Sequence, residues 1–596
     1  MNPIRICCPT LMALLLLGAC AQQPTEEQIA AESEKANAFF ERVFNESVDR
    51  SPMTQTALGI KKDYDKWDDI SDENAQKELE ITRKELETLR RDINYAFLDA
   101  QAKISYDLFV LQSEEEVDNF KFRFHNYPVN QMFGLQSRVP AFLINMHKIT
   151  DIDDARAYVA RLEKVDDLFG QLIDNLKTRE EKGIIPPTFV FAHVLRDSKN
   201  IITGHTIISD FKSKVTGIEG LAKKDRRDLI AKAGSAIEGS VVPAYERLVA
   251  YLTELQTESN DDAGAWKFPD GETFYNAALK RVTTTDLTAD EIHQIGLQEV
   301  DRIHDEMRQI MKKVHFDGSL QEFFEFMRTD KQFYYPETEK GRETYLARAV
   351  DVIGTMKKKL PDLFITMPKA DIVVKRVEAF REKSAGKAFY QRPAPDGSRP
   401  GTYYANLFKM SEMPTYQMEA LAYHEGIPGH HMQIAIAQEL QGIPKFRKFG
   451  GFTAYVEGWG LYSEFVPKEM GFYSDPYSDF GRLAMELWRA CRLVVDTGIH
   501  AKKWTREQGI EYYTTNTPNP EGDAIKMVER HIVMPGQATA YKIGMLKILE
   551  LREAARKELG DDFDIRQFHD VVLTSGAVPL NVLEKLVHDW VGSARS

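Results

Sequence analysis

The segment Leu421-Ala-Tyr-His-Glu-Gly-Ile-Pro-Gly-His-His-Met-Gln433 gathers three histidines and a glutamate within thirteen residues. Such side chains at helical spacing are how many hydrolases hold a metal. In H-E-x-x-H, two histidines four apart share one helix face and bind zinc, and the glutamate between them activates a bound water. Here His424 and Glu425 supply the first half, but the next histidines are His430 and His431, and Pro428 occupies the fourth position on. In a straight helix six residues rotate about 600°, which would turn His430 about 120° away from His424 and carry it about 9 Å along the axis. Such a pair could not share a metal. Gly426, Pro428 and Gly429 argue against a straight helix. Proline removes a backbone donor and clashes with the preceding turn, and glycine tolerates unusual dihedrals. A bulge of two residues would return His430 to the place of the missing ligand.

A third ligand should come from a following helix. Glu457, in Ala454-Tyr-Val-Glu-Gly-Trp-Gly-Leu-Tyr-Ser-Glu464, lies 27 residues after His430. That distance accommodates a helix, a turn at Gly442-Ile-Pro444 and an antiparallel return. Two histidines and a glutamate with one position open is a catalytic rather than a structural zinc arrangement. The expected ligands of a Zn2+ cofactor are therefore His424, His430 and Glu457. Glu425 would serve as general base and then as proton donor to the leaving amine. His431 stands as the alternative second ligand and Glu464 as the alternative third. Glu419 is placed to hydrogen-bond a ligand histidine from behind. His293 and His304, in a charged helix, are expected to be solvated. Phe452, Tyr455, Trp459, Tyr462 and Trp488 are expected in the core and in the wall of a cleft.

The elements that must position these groups are mostly helical. Ala31 to Arg50, Asp154 to Lys182, Leu287 to Val314 and Gly341 to Lys358 carry apolar residues three and four apart, with acidic starts and basic ends. Asp371 to Ala379 and Thr402 to Phe408 are instead rich in β-branched and aromatic residues, with a turn-rich stretch from Arg392 to Gly401 between them. This predicts a small sheet over 371–408, just before the metal-site helix. The chain divides into an N-terminal helical half over 31–275 and a catalytic half over 276–596, with the metal site at 424–457.

Net charge is −14, with both signs mixed along the chain. A nucleic-acid surface would instead cluster Lys and Arg. No Gly-x-Ser-x-Gly elbow and no phosphate-cradling glycine loop occurs. The chain opens with a short positive start, an apolar run from Leu11 to Leu17, and Leu17-Gly-Ala-Cys20. The run is too short to span a bilayer, so 1–19 is expected to be a signal peptide. The site resembles a bacterial lipoprotein box, which implies a lipid on Cys20 and a polar tether over 20–30. Ala21 in place of aspartate points to the outer membrane, facing the periplasm. Of four cysteines, Cys7 and Cys8 would leave with the signal and Cys491 would stand alone, so no intramolecular disulfide is expected.

His424-Glu-Gly-Ile-Pro-Gly-His-His431, Tyr455-Val-Glu-Gly-Trp-Gly-Leu-Tyr462, Arg492-Leu-Val-Val-Asp-Thr-Gly-Ile-His500 and Pro535-Gly-Gln-Ala-Thr-Ala-Tyr-Lys-Ile-Gly544 resemble the bacterial family catalogued as domain of unknown function 885. That family is placed near the gluzincin metallopeptidases, which include thimet oligopeptidase and angiotensin-converting enzyme. The likeness runs from about residue 30 to the C-terminus and is strongest from 400 to 545. It implies a mostly α, two-lobed body with a deep cleft and a small sheet beside the metal-site helix. The family's Pro-Gly-His pattern favours His430 over His431. Tyr541 and His500 resemble positions that donate to an oxyanion on the scissile carbonyl. Arg492 and Lys542 could hold a substrate carboxylate, and the strand around Tyr403 and Tyr404 could bind extended peptide along its edge. The expected function is zinc-dependent hydrolysis of short peptides in the cell envelope. The alternatives are a non-catalytic peptide- or partner-binding lipoprotein and a metallohydrolase of a non-peptide amide.

Overall fold

The computed structural model describes residues 24–377, 382, 386–393 and 399–595. The signal peptide and Cys20 lie outside the described residues. Helix α1 (Glu26–Arg50) starts inside the stretch expected to be a tether. Thr25 accepts from the Gln28 N–H while the Gln28 side chain returns to the Thr25 N–H, a reciprocal cap that begins the helix there.

The single helix expected over 154–182 is two, α2 (Ile152–Glu163) and α3 (Val165–Glu181), broken at Lys164 with φ −101° and ψ 4°. Periodicity runs through the break because both halves bury the same face. The break comes from tertiary partners: Trp67 donates to the Arg161 carbonyl, and the Ser240 hydroxyl accepts from the Asp166 N–H. Helices α4 (Ala289–Lys313) and α5 (Glu339–Lys357) follow the predicted spans closely.

The chain then forms a three-stranded sheet from β1 (Ile372–Arg376), β2 (Ala388–Gln391) and β3 (Gly401–Ala405). Strand β2 was not foreseen. The order is β1-β3-β2, with β3 parallel to β1 and antiparallel to β2. Tyr403 stands opposite Val374 on one side and Tyr390 on the other. Strand β3 is therefore central, and the peptide-binding edge expected at Tyr403 and Tyr404 is already occupied on both sides. Its five residues are all buried, a pattern that suits an interior strand.

After the sheet come α6 (Met418–Glu425), α7 (His430–Glu439), α8 (Thr453–Glu469), α9 (Pro476–His500), α10 (Glu521–Val533) and α11 (Ala540–Leu559). Helix α9 is buried along almost its whole length. It packs on α4 so closely that a Cβ at Gly296 would come within 2.7 Å of Val494. Helices α8 and α11 cross at a pair of glycines: a Cβ on Gly458 would meet the Gly544 backbone at 2.6 Å. One connected core runs from Leu108 to Val591, so packing does not divide at residue 275. A second core includes α4 and α9, and a third, smaller one gathers α1 with neighbouring N-terminal residues. Among the described residues no helix is long and apolar enough to cross a membrane.

His293 and His304 are not solvated. Both are buried on α4, His293 against the Thr497 hydroxyl and His304 against the Asn516 carbonyl. The polar face of α4 that suggested solvent is in part the face that α9 and its successors cover.

Candidate metal centre

Helix α6 ends at Glu425 and α7 begins at His430, so the interrupted motif is two helices joined by Gly426-Ile-Pro-Gly429. The Ile427–Pro428 peptide is cis. Gly426 sits at φ −103°, ψ −113° and Gly429 at φ −76°, ψ −127°. The Gly429 N–H reaches back to the Tyr423 carbonyl at 2.9 Å, and the His431 N–H reaches the Gly426 carbonyl at 3.1 Å. A Cβ at Gly429 would lie 2.0 Å from the His424 carbonyl oxygen, so no larger residue fits. From the other side, the Trp459 indole N–H donates to the Pro428 carbonyl at 3.0 Å. Trp459 is fully buried, and removing its roughly 200 Å² from water contributes about 5 kcal/mol. The connector is thus clamped between its own helix and α8.

This geometry does what the bulge was expected to do. The His424 and His430 rings come to a centroid distance of 4.7 Å at 85°. Glu457 Oε2 lies 3.6 Å from His424 Nε2 and 3.6 Å from His430 Nε2. Those separations are too long for good hydrogen bonds. They are close to the edge of a tetrahedron of ligands about 2.1 Å from a shared zinc, which is about 3.4 Å. The donor set and its spacing therefore fit a cation. His424 and His430 are buried and Glu457 is partly open, which leaves the cluster accessible from the glutamate side.

The His424 ring is held from behind. Its Nδ1 lies 2.7 Å from Glu464 Oε1, so Nδ1–H donates to the carboxylate and Nε2 is free toward Glu457 and His430. Glu464 is the alternative ligand that the structure moves to a supporting role. Burial alone would lower the His424 pKa, but Glu457 and Glu464 together push it up to about 9. Burial alone would raise the Glu457 carboxyl, but the two imidazoles hold it well below the usual range. A pocket with these pulls favours added positive charge. Gly460 lets α8 approach: a Cβ there would meet His424 Cε1 at 2.8 Å.

His431 faces away. Its Nε2–H donates to the Ala370 carbonyl at 3.0 Å, and its Nδ1 accepts from the Tyr390 hydroxyl at 2.9 Å. It ties α7 to the sheet. Glu419 does not support a ligand histidine; it accepts from the Tyr473 N–H at 3.3 Å and lies near the Tyr423 hydroxyl. Glu425 follows His424 directly and is largely buried, and its carboxylate makes no hydrogen bond among the described residues. The Tyr403 ring is buried beside Tyr345 and within electrostatic reach of Glu425. Tyr404 stacks on Phe389 at 4.9 Å.

Of the remaining candidates, Tyr541 and Arg492 come together and the other two do not join them. The Arg492 guanidinium lies over the Tyr541 ring at 4.4 Å. His500 is buried with both ring nitrogens engaged: Nδ1 accepts from the Ala265 N–H and Nε2–H donates to the His531 carbonyl. It has no nitrogen left for an oxyanion, and burial pulls its pKa down to about 4. Lys542 is fully buried, with Nζ 2.5 Å from Glu486 and 2.8 Å from Glu299. Its charge is consumed there, so it is not the carboxylate-binding group expected. Two arginines went unnoticed in the sequence, Arg489 and Arg530. The available signal was Arg489 three residues before Arg492, in a row of charged residues at helical spacing with Arg482, Glu486 and Asp496.

Comparison with known proteins agrees with the extent of this architecture. A crystal structure of a candidate lipoprotein from Colwellia psychrerythraea superimposes with a TM-score of 0.89 at 32% identity, covering 94% of this chain and 99% of that one. A candidate lipoprotein of unknown function from Shewanella oneidensis superimposes with a TM-score of 0.73 at 18% identity over the same shares, a likeness of fold alone. No curated protein matches the chain. The family model for the bacterial proteins of unknown function DUF885 matches residues 52–587, and over that span the chain belongs to this family.

Proposed function

We propose that the protein is a zinc-dependent metallohydrolase that cleaves short peptides in the bacterial envelope, anchored there by lipid on Cys20. The observation that carries the reading is the convergence of His424, His430 and Glu457 around one point, with a free glutamate, Glu425, beside it. A Zn2+ at that point would lower the pKa of a bound water to about 7 and polarise a carbonyl. Glu425 would take a proton from water as the water oxygen bonds to the carbonyl carbon, and would pass that proton to the amine nitrogen when the C–N bond then breaks. Tyr541 is the donor offered to the carbonyl oxygen as negative charge develops on it. Glu464 fixes the tautomer and orientation of His424 throughout.

Helix, connector and returning helix with the third ligand is also what the gluzincin likeness implies, and a cleft between two lobes belongs to the same reading. The envelope assignment is supported by the Leu17-Gly-Ala-Cys20 sequence and by the description of the relatives as candidate lipoproteins. The test is hydrolysis of a panel of short peptides by the zinc-loaded protein, against Glu425→Gln at the same metal content. Cleavage lost by a factor of about 100 or more in that variant supports the reading. Equal rates in the two proteins, or digestion of folded proteins, would count against it.

A further inference from the structure

Arg492, over the Tyr541 ring and with Arg489 and Arg530 nearby, has a pairing problem that the fold leaves unsolved. Arg492 is 6% exposed, and its Nε and Nη1 are buried without a hydrogen-bond partner. Arg489 Nε and Arg530 Nε are likewise buried and unpartnered. Among the described residues neither Arg492 nor Arg530 has a carboxylate at ion-pairing distance; Arg530 donates only to the Gln537 amide oxygen. Arg489 is better provided: its Nη2 lies 3.7 Å from the Glu464 carboxylate that also holds His424, and its Nη1 donates to the Met485 carbonyl. Burial lowers the Arg492 pKa to about 10, with Tyr541 working against that shift and the positive charges of Arg489 and Arg530 adding to it. A buried guanidinium with open donors costs several kcal/mol unless an anion completes it.

The same residues are joined to the metal cluster. His424 contacts Glu464, Glu464 contacts Arg489, and Arg492 follows one turn along α9, a rise of about 4.5 Å. The ring beneath the Arg492 guanidinium is Tyr541, the donor offered to the scissile carbonyl. On the proposed role of Tyr541, an anion bound by Arg492 would belong to the molecule being cleaved.

We infer that Arg492, supported by Arg489 and Arg530, binds the free α-carboxylate of a short peptide, so that the substrates are peptides with an unblocked carboxyl terminus. A carboxylate supplies two acceptors in one plane and matches the arginine fork, as a neutral carboxamide does not. Lys542, the other candidate for this role, is excluded by its pairing with Glu486 and Glu299.

The inference rests on the proposed hydrolase, and its test separates the two. Binding of acetyl-Ala-Ala-Ala and of its C-terminal amide is measured by calorimetry on the Glu425→Gln protein, with metal content determined on the same samples. The free acid is expected to bind at least 10-fold more tightly than the amide. That preference should vanish in Glu425→Gln combined with Arg492→Gln and be partly kept with Arg492→Lys. Arg489→Gln is the second variant should Arg492→Gln fail to fold, and it is expected to weaken the preference. Inorganic phosphate is expected not to displace the acid at equal concentration. Equal binding of acid and amide, no binding of either, or displacement by phosphate would overturn the inference. Preference for the acid in protein that takes up no metal would keep the inference and sink the hydrolase. Metal uptake by the parent protein, with equal cleavage of acid and amide by it, would do the reverse.

Discussion

Glu464 reaches the back of the His424 imidazole, Oε1 to Nδ1 at 2.7 Å, and so decides which nitrogen faces the cluster. Without that acceptor the Nδ1 proton has no buried partner, and the tautomer with Nε2 protonated competes. Glu464→Leu, which removes the acceptor, is expected to weaken metal affinity by about 10- to 100-fold while leaving the helical circular dichroism unchanged. Competition against a calibrated zinc chelator measures this. An unchanged affinity would remove Glu464 from the account.

Gly460 tests the approach of α8 independently of any charge. A methyl group there would lie 2.8 Å from His424 Cε1 and 3.0 Å from Nε2. Gly460→Ala is expected to lose metal while keeping its fold, because the ring must turn away. A crystal structure of the variant with His424 unmoved would contradict this.

The Trp459 indole bond to the Pro428 carbonyl can be removed with little loss of volume. Trp459→Phe leaves the buried carbonyl without its donor and is expected to lower stability by about 1 to 3 kcal/mol. Denaturant unfolding of metal-free protein measures it. A larger fall in metal affinity than in stability is also expected, because the connector sets the distance between the two histidines.

The grouping of His424, His430 and Glu457 was legible in the chain, and the reason is local. His424, His430 and Glu457 stand out by residue type, and Gly426, Pro428 and Gly429 announce that no straight helix joins the histidines. Strand β3 could be recognised as a strand but not as the central one, because its second partner β2, a four-residue segment beside the turn-rich stretch, carries no strand pattern long enough to read. His500 and Lys542 sit in conspicuous segments but are consumed by backbone and carboxylates that only the tertiary fold brings to them. His293 and His304 failed for the same reason: a charged helix face does not reveal that another helix covers it.

Seven buried histidines outside the cluster bear on the response to acid, and burial lowers His431 to about 4 and also lowers His293 and His304. Burial pulls His147 and His569 down to about 3, His500 to about 4, and His531 well below its ordinary value. In the unfolded chain each titrates near 6.5. Below that pH the unfolded state binds more protons, so the stability these groups contribute is full above pH 6.5 and is lost as the pH falls toward 4. Each contributes a slope of about 1.4 kcal/mol per pH unit in that window. Asp496, raised to about 7 by burial, works in the opposite sense and offsets one histidine. The urea midpoint of metal-free protein is expected to fall steeply between pH 6.5 and 5, and less steeply in His147→Gln. A flat midpoint across that range would contradict the assignment of neutral buried histidines.

The most direct measurement is the metal content of the purified protein by elemental analysis, with His424→Ala and Glu457→Ala beside it. The account predicts about one zinc per chain in the parent after zinc is supplied at neutral pH, and none above background in either variant. A parent protein that holds no metal under those conditions, or variants that hold as much as the parent, would contradict it and leave a metal-free binding protein as the better description.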